Sequence, residues 1–120
     1  MIGVGGGVLC SIACSLKPKF GYDDSLDVVG VHGVGGTWGA LATGLFASKA
    51  INAAGNDGLF FGNPGQLWTQ FVAVAVTIVF AMVATAIILT ILKATMGLRV
   101  ADDEERMGLD LTQHNERAYE

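Results

Sequence analysis

Charged residues are absent from three long intervals of the chain: between Met1 and Lys17, between Asp27 and Lys49, and between Asp57 and Lys93. Each interval can hold a helix near the ~20 residues that cross a bilayer, the first being the shortest. The pattern predicts an all-α membrane protein with helices over residues 1–16, 26–47 and 67–92. Residues 1–99 form the membrane part and residues 100–120 a polar tail.

The first segment contains Gly3, Gly5, Gly6 and Gly7. In water these would weaken a helix. In a bilayer no water competes for the backbone, and small residues let helices approach closely. Lys17, Pro18, Lys19 and Gly21 are expected to end it. The short length suits a membrane helix cut by an internal start, and no basic residue precedes the apolar run as a secretory signal requires.

Asp23, Asp24, Ser25 and Asp27 supply candidate caps for the second helix. Within it, Gly36, Ala40 and Gly44 recur every fourth residue, and Gly35 with Gly39 makes a GxxxG pair. These five positions are expected to pack against other helices. Residues 48–65 are rich in Gly, Asn and Pro and read as a loop. The third segment is the strongest transmembrane signal. It opens at Trp68, an interfacial anchor, and its polar residues are mainly threonines able to bond back to their own helix. Lys93 and Arg99 follow it.

Composition agrees with this division. The chain is 52% hydrophobic with mean hydropathy +0.52, and its 15% of charged residues falls well below the roughly 25% of soluble domains. The net charge of −4 owes much to Asp102, Asp103, Glu104 and Glu105. There is no basic patch, which argues against nucleic acid. Lys17, Lys19, Lys93 and Arg99 flank one side of the predicted helices, and Lys49 the other. The positive-inside rule therefore puts the first turn and the tail in the cytoplasm. In the tail, residues 102–107 are expected to form a short helical turn broken by Gly108, and residues 109–119 an irregular segment, either solvated or docked.

His32 is the leading functional candidate. An ionisable side chain inside a membrane helix is costly and usually faces a bundle interior or a polar pathway. Imidazole can accept and pass a proton near neutrality or bond a small polar solute. The competing role is a histidine bonded between packed helices. Asp27 reads first as a helix cap and second as a pathway residue. Cys10 and Cys14, one helical turn apart in an apolar stretch, read as packing residues. Neither glycine cluster is a nucleotide loop: Val8 and Trp38 stand where GxGxxG needs its last glycine, and no GK[ST] follows. No serine, histidine and acid grouping supports hydrolysis. No enzyme activity, cofactor or metal site is predicted, and His114 is expected to be solvated.

The run YDDSLDVVGVHGVGGTWGALATGLF at residues 22–46 closely resembles the tenth transmembrane helix of ammonium transporters, in the Amt branch of the Amt/Mep/Rh superfamily. MGLRV at 96–100, GLDLTQH at 108–114 and Ala118-Tyr119 resemble that family's cytoplasmic tail. The resemblance covers nearly the whole chain, and implies the end of the ninth helix, the tenth and eleventh helices and the tail of an eleven-helix fold. His32 would then be the second of a twin-histidine pair that relays a proton beside a hydrophobic pore for ammonia. Asp27, Val28 and Val31 would line the pore or its cytoplasmic exit. The family implies a homotrimer in the cell membrane. It also implies a regulatory tail, at Gly108, Leu109, Asp110 and Thr112, that contacts a neighbouring subunit and in many microbes a PII-type signalling protein. Thr112 matches a position phosphorylated in plant relatives. Three helices supply neither the first pore histidine nor the outer ammonium site. Transport is therefore expected of a complete trimeric transporter, and the alternative is a non-transporting membrane fragment or an ammonium-sensing module whose tail binds the regulator.

Overall fold

A computed structural model describes residues 1–117; Ala118 and Tyr119, part of the tail resemblance, lie outside the described residues. The chain is helical without strands among the described residues. Its elements are α1 (Ile2–Phe20), a π-helical turn (Val29–Val34), α2 (Gly35–Phe46), a 3-10 turn (Leu59–Phe61), α3 (Pro64–Thr95), α4 (Asp102–Met107) and α5 (Leu109–Thr112). It divides into two compact units, Met1–Val79 and Phe80 onward.

In the first unit α1 runs antiparallel to the π-turn and α2, and glycines set how closely they approach. A methyl carbon added at Gly30 would lie 2.7 Å from Cys14 Sγ, and one at Gly35 would lie 2.8 Å from Cys10 Sγ. At the far end the Trp38 ring fills the space beside Gly5. The Trp38 indole N–H donates to the Ile2 carbonyl at 2.9 Å. Small thiols thus sit against bare backbone, which confirms the packing role read for both cysteines.

Each predicted helix forms, with shifted ends. α1 does not stop at Lys17. It continues through Pro18 to Phe20 and ends at Gly21, whose φ of 64° lets its N–H close on the Lys17 carbonyl. Proline removes one N–H and crowds the preceding turn, yet this close to the helix end a glycine in the left-handed region is the effective stop. α3 begins earlier than predicted, because Pro64 occupies the first helical turn, where a missing N–H costs nothing. It ends at Thr95, and Gly97 (φ 80°), whose N–H reaches the Leu92 carbonyl at 3.1 Å, closes the end. Thr69, Thr90 and Thr95 do bond back to their own helix at 2.7–3.0 Å.

Of the described helices, only α3 is both long and apolar enough to cross a membrane. Its 32 residues span about 48 Å at ~1.5 Å per residue, beyond the ~30 Å hydrocarbon core. Glycines dilute the apolar character of α1, and the π-turn interrupts the second helix. Three helices are therefore present, but one span is shown by length and composition where three were expected. Ala42 is the only buried hydrophobic residue among the described ones, while Phe80 and Met82 on α3 are 72% and 67% exposed. So much bare apolar surface is suited to lipid or protein neighbours, not to water.

Between α2 and α3 the loop folds back on the end of α2. Gly58 N–H donates to the Ala47 carbonyl at 2.8 Å, Asp57 Oδ1 accepts from the Lys49 N–H at 2.7 Å, and the Phe46 and Phe60 rings lie 5.2 Å apart. In the second unit, residues 109–112, expected to be irregular, form the single helical turn α5.

Candidate functional site

His32 sits in the middle of the π-turn Val29–Val34. A π-turn carries an extra residue relative to the α-helix, and such bulges recur at functional sites. Glycine makes this one compatible with its neighbour: Gly30 is buried against Cys14, and the Cys10 thiol donates to the Val31 carbonyl at 3.6 Å. His32 itself is exposed. The described helices of this chain do not enclose it. Around it, Gly30, Val31 and Gly35 meet Cys14 and Cys10 of α1.

The entry to the π-turn is held by acids and a lysine. Asp24 is the cap: its Oδ1 accepts the Val28 N–H and its Oδ2 the Val29 N–H, both at 2.9 Å. Asp27, the cap favoured from sequence, does not fill that role. Its φ is 55°, so it occupies the turn itself, and its carboxylate pairs with the Lys17 ammonium at 2.5 Å. The same ammonium donates to the Asp24 carbonyl at 2.8 Å. The Asp24 carboxyl is held below its ordinary value of 3.8, first by the Val29 N–H, against partial desolvation, and then by the Val28 N–H and the Lys17 charge.

The remaining candidates divide. Val28 and Val31 are exposed beside His32. Of the five packing positions, Gly35 meets α1. Gly44 is buried against α3, where an added methyl carbon would lie 2.8 Å from Leu67 Cα. Ala40 is half-buried. A methyl carbon added at Gly36 or Gly39 would meet nothing within 4 Å in this chain. An apolar cavity of about 450 Å³, lined by Leu9, Val29, Gly33, Val34, Trp38 and Ile78 among others, lies alongside the π-turn without including His32.

In the second unit Gly108 (φ 102°) separates α4 from α5. The Thr112 hydroxyl donates to the Gly108 carbonyl at 3.0 Å and lies 3.4 Å from the Glu104 carbonyl. Leu109 is exposed, while Asp110 and Thr112 are half-buried.

Sequence reasoning missed Lys17, read only as a helix stop and a topology charge, and did not choose Asp24 from its acidic neighbours. The spacing carried a usable signal for Asp24, which stands four residues before the first helical N–H it caps. It carried none for Lys17, whose reach to Asp27 depends on the turn closing.

A model of the Ammonium Transporter Family matches residues 1–119. The ammonium transporter of Bacillus subtilis is 51% identical over 121 residues, covering 100% of this chain and 30% of that protein. The ammonium transporter of Aquifex aeolicus is 51% identical over 104 residues, covering 87% and 24%. Ammonium transporter Amt1 of Archaeoglobus fulgidus is 44% identical over 119 residues, covering 99% and 30%. The chain thus spans about 30% or less of the length of these relatives.

Proposed function

Because the chain belongs to the ammonium transporter family, we propose that it supplies part of an ammonium-conducting subunit of the cell membrane, with His32 beside the conduction path. The observation that carries this reading is the placement of His32. An ionisable ring stands exposed on a π-turn, beside an apolar groove, on the helix that matches the family. On this reading α1, the second helix and α3 each cross the bilayer, and the tail lies in the cytoplasm. Carrying ammonium intact through an apolar passage would strip a charge of its water, which is costly. Neutral ammonia avoids that cost, and the displaced proton then needs a titratable carrier. An imidazole is suited to that because it gains and loses a proton near neutrality. Asp27, Val28 and Val31 stand at the cytoplasmic end of the same path.

The arrangement needs facing helices from the rest of the subunit, and transport belongs to the complete protein, assembled as a homotrimer. The relatives are named as transporters and not as enzymes, which supports a non-catalytic role. The helical turns α4 and α5 favour a second, regulatory reading, in which Gly108, Leu109, Asp110 and Thr112 dock a PII-type protein or a neighbouring subunit.

The deciding experiment is His32→Ala in the complete transporter, reconstituted in vesicles. Ammonium-dependent current should fall or lose its selectivity while the trimer persists on native gels. Unchanged current would return His32 to a packing role.

A further inference from the structure

The turn leading to His32 is fastened by one side chain from another helix. Lys17, in the last turn of α1, donates to the Asp24 carbonyl at 2.8 Å and pairs with the Asp27 carboxylate. Both acids control the start of the second helix by different means. Asp24 caps the N–H groups of Val28 and Val29 through its carboxylate. Asp27 takes a positive φ of 55° and offers its carbonyl to the Val31 N–H at 2.8 Å. A non-glycine residue in that region is uncommon and persists where its surroundings hold it there. The ammonium is the group that holds both.

We propose that Lys17 is a positioning residue for His32. By tying Asp24 and Asp27 together it sets the backbone angle at which the π-turn begins, and so the direction of the imidazole five residues on. Cys14 against Gly30 and Cys10 on the Val31 carbonyl fix the depth of the same turn. Three points of one helix thus hold the residues flanking His32 and leave the ring itself free. The consequence for conduction rests on the pore reading of His32; the geometric claim does not.

The test uses the whole chain, isotope-labelled and reconstituted in phosphatidylcholine bilayers, with backbone and imidazole signals followed by solid-state NMR. His114→Gln identifies the His32 ring. Lys17→Met should shift the Val29–Val34 and His32 signals several-fold more than those of residues 41–46, and Lys17→Arg should restore them. Shifts confined to residues 17–27, or spread equally over α2, would overturn the proposal. Should Lys17→Met fail to fold, Asp27→Asn removes the same ion pair while keeping a residue that tolerates positive φ, and must reproduce the local shift. If these shifts appear while His32→Ala leaves current unchanged, the positioning role stands and the pore reading falls.

Discussion

Adding one methyl group at Gly30 tests whether thiol-on-glycine contact holds α1 to the π-turn. In Gly30→Ala the new carbon would lie 2.7 Å from Cys14 Sγ, 3.2 Å from Cys14 N and 3.5 Å from Cys14 Cα. Comfortable contact needs about 3.5–4.0 Å. The thiol must therefore move by about an ångström, which a rotamer change can supply. The amide nitrogen belongs to the backbone of α1, so the helix must also retreat by a few tenths of an ångström. Overpacking of this kind costs roughly 1–3 kcal/mol, and the better helix propensity of alanine returns at most ~1 kcal/mol. The expected net loss is about 1–2 kcal/mol. Cys14→Ala removes the thiol, leaving the milder backbone approach. The double variant should therefore be more stable than the sum of the two single effects, with a coupling of about 1 kcal/mol. Trp38 provides the assay, since its indole bond to the Ile2 carbonyl breaks when α1 leaves α2. In a Trp68→Phe background, its fluorescence during denaturation of the micelle-bound chain by dodecyl sulfate reports that separation. Wild-type stability for Gly30→Ala, or additivity within about 0.5 kcal/mol, would show that the close approach carries no packing energy.

Gly44→Ala should cost about 1–3 kcal/mol in the same assay, since the obstructing atom is the Leu67 backbone. Gly39→Ala, with open space around it, should gain up to ~1 kcal/mol, and equal effects at the two sites would contradict the assigned faces. The cap is pH-dependent: Asp24 has a lowered carboxyl pKa, so its contribution is complete above 3.8 and is lost as pH falls through the lower value in the folded chain. Amide exchange at Val28 and Val29 should speed up below that point, and Asp24→Ala should remove the pH dependence; exchange that is flat to the lowest pH sampled would refute the cap. Phosphorylation of Thr112 would replace the proton donor to the Gly108 carbonyl with a group carrying about −1.5 to −2 charges, beside Glu104 and Asp110. Faster exchange at Thr112 and Gln113 should report loss of α5; unchanged protection would mean that the hydroxyl does not hold the turn.

The three helices were legible because each kind of side chain had a local consequence. Uncharged runs marked the helices, Gly, Asn and Pro marked the loop, and Thr69, Thr90 and Thr95 of α3 bond back to their own backbone as expected. What could not be read depended on geometry that forms only on folding. Lys17, Pro18, Lys19 and Gly21 all looked like helix-ending residues, and only the folded chain shows that the left-handed Gly21 is the one that ends it. Three acids, Asp23, Asp24 and Asp27, stood near the second helix, and only the closed turn distinguishes Asp24, which caps, from Asp27, which takes the positive φ and the lysine. The π-turn was invisible because no residue type demands one; it arises where Gly30 lets α1 approach and Asp27 enters at an unusual angle. His32 was found from the cost of an ionisable group in an apolar helix, and that argument gives the residue without giving its orientation.

The glycines of the second helix show why pattern and contact separate. A repeat at four places residues on one side of a helix, so Gly36, Ala40 and Gly44 appear as one packing stripe, with Gly35 and Gly39 beside it. The structure uses the two ends of this set, Gly35 on Cys10 of α1 and Gly44 on Leu67 of α3. Those contacts lie on different neighbours because both glycines belong to α2 and their separation, at ~3.6 residues per turn, puts them on roughly opposite sides of it. Gly36 and Gly39 fall between the two crossings. Small size is thus necessary for close approach but does not say which element approaches. That information lies in where each helix begins and how it is turned, and here both are set by the few residues from Lys17 to Val31.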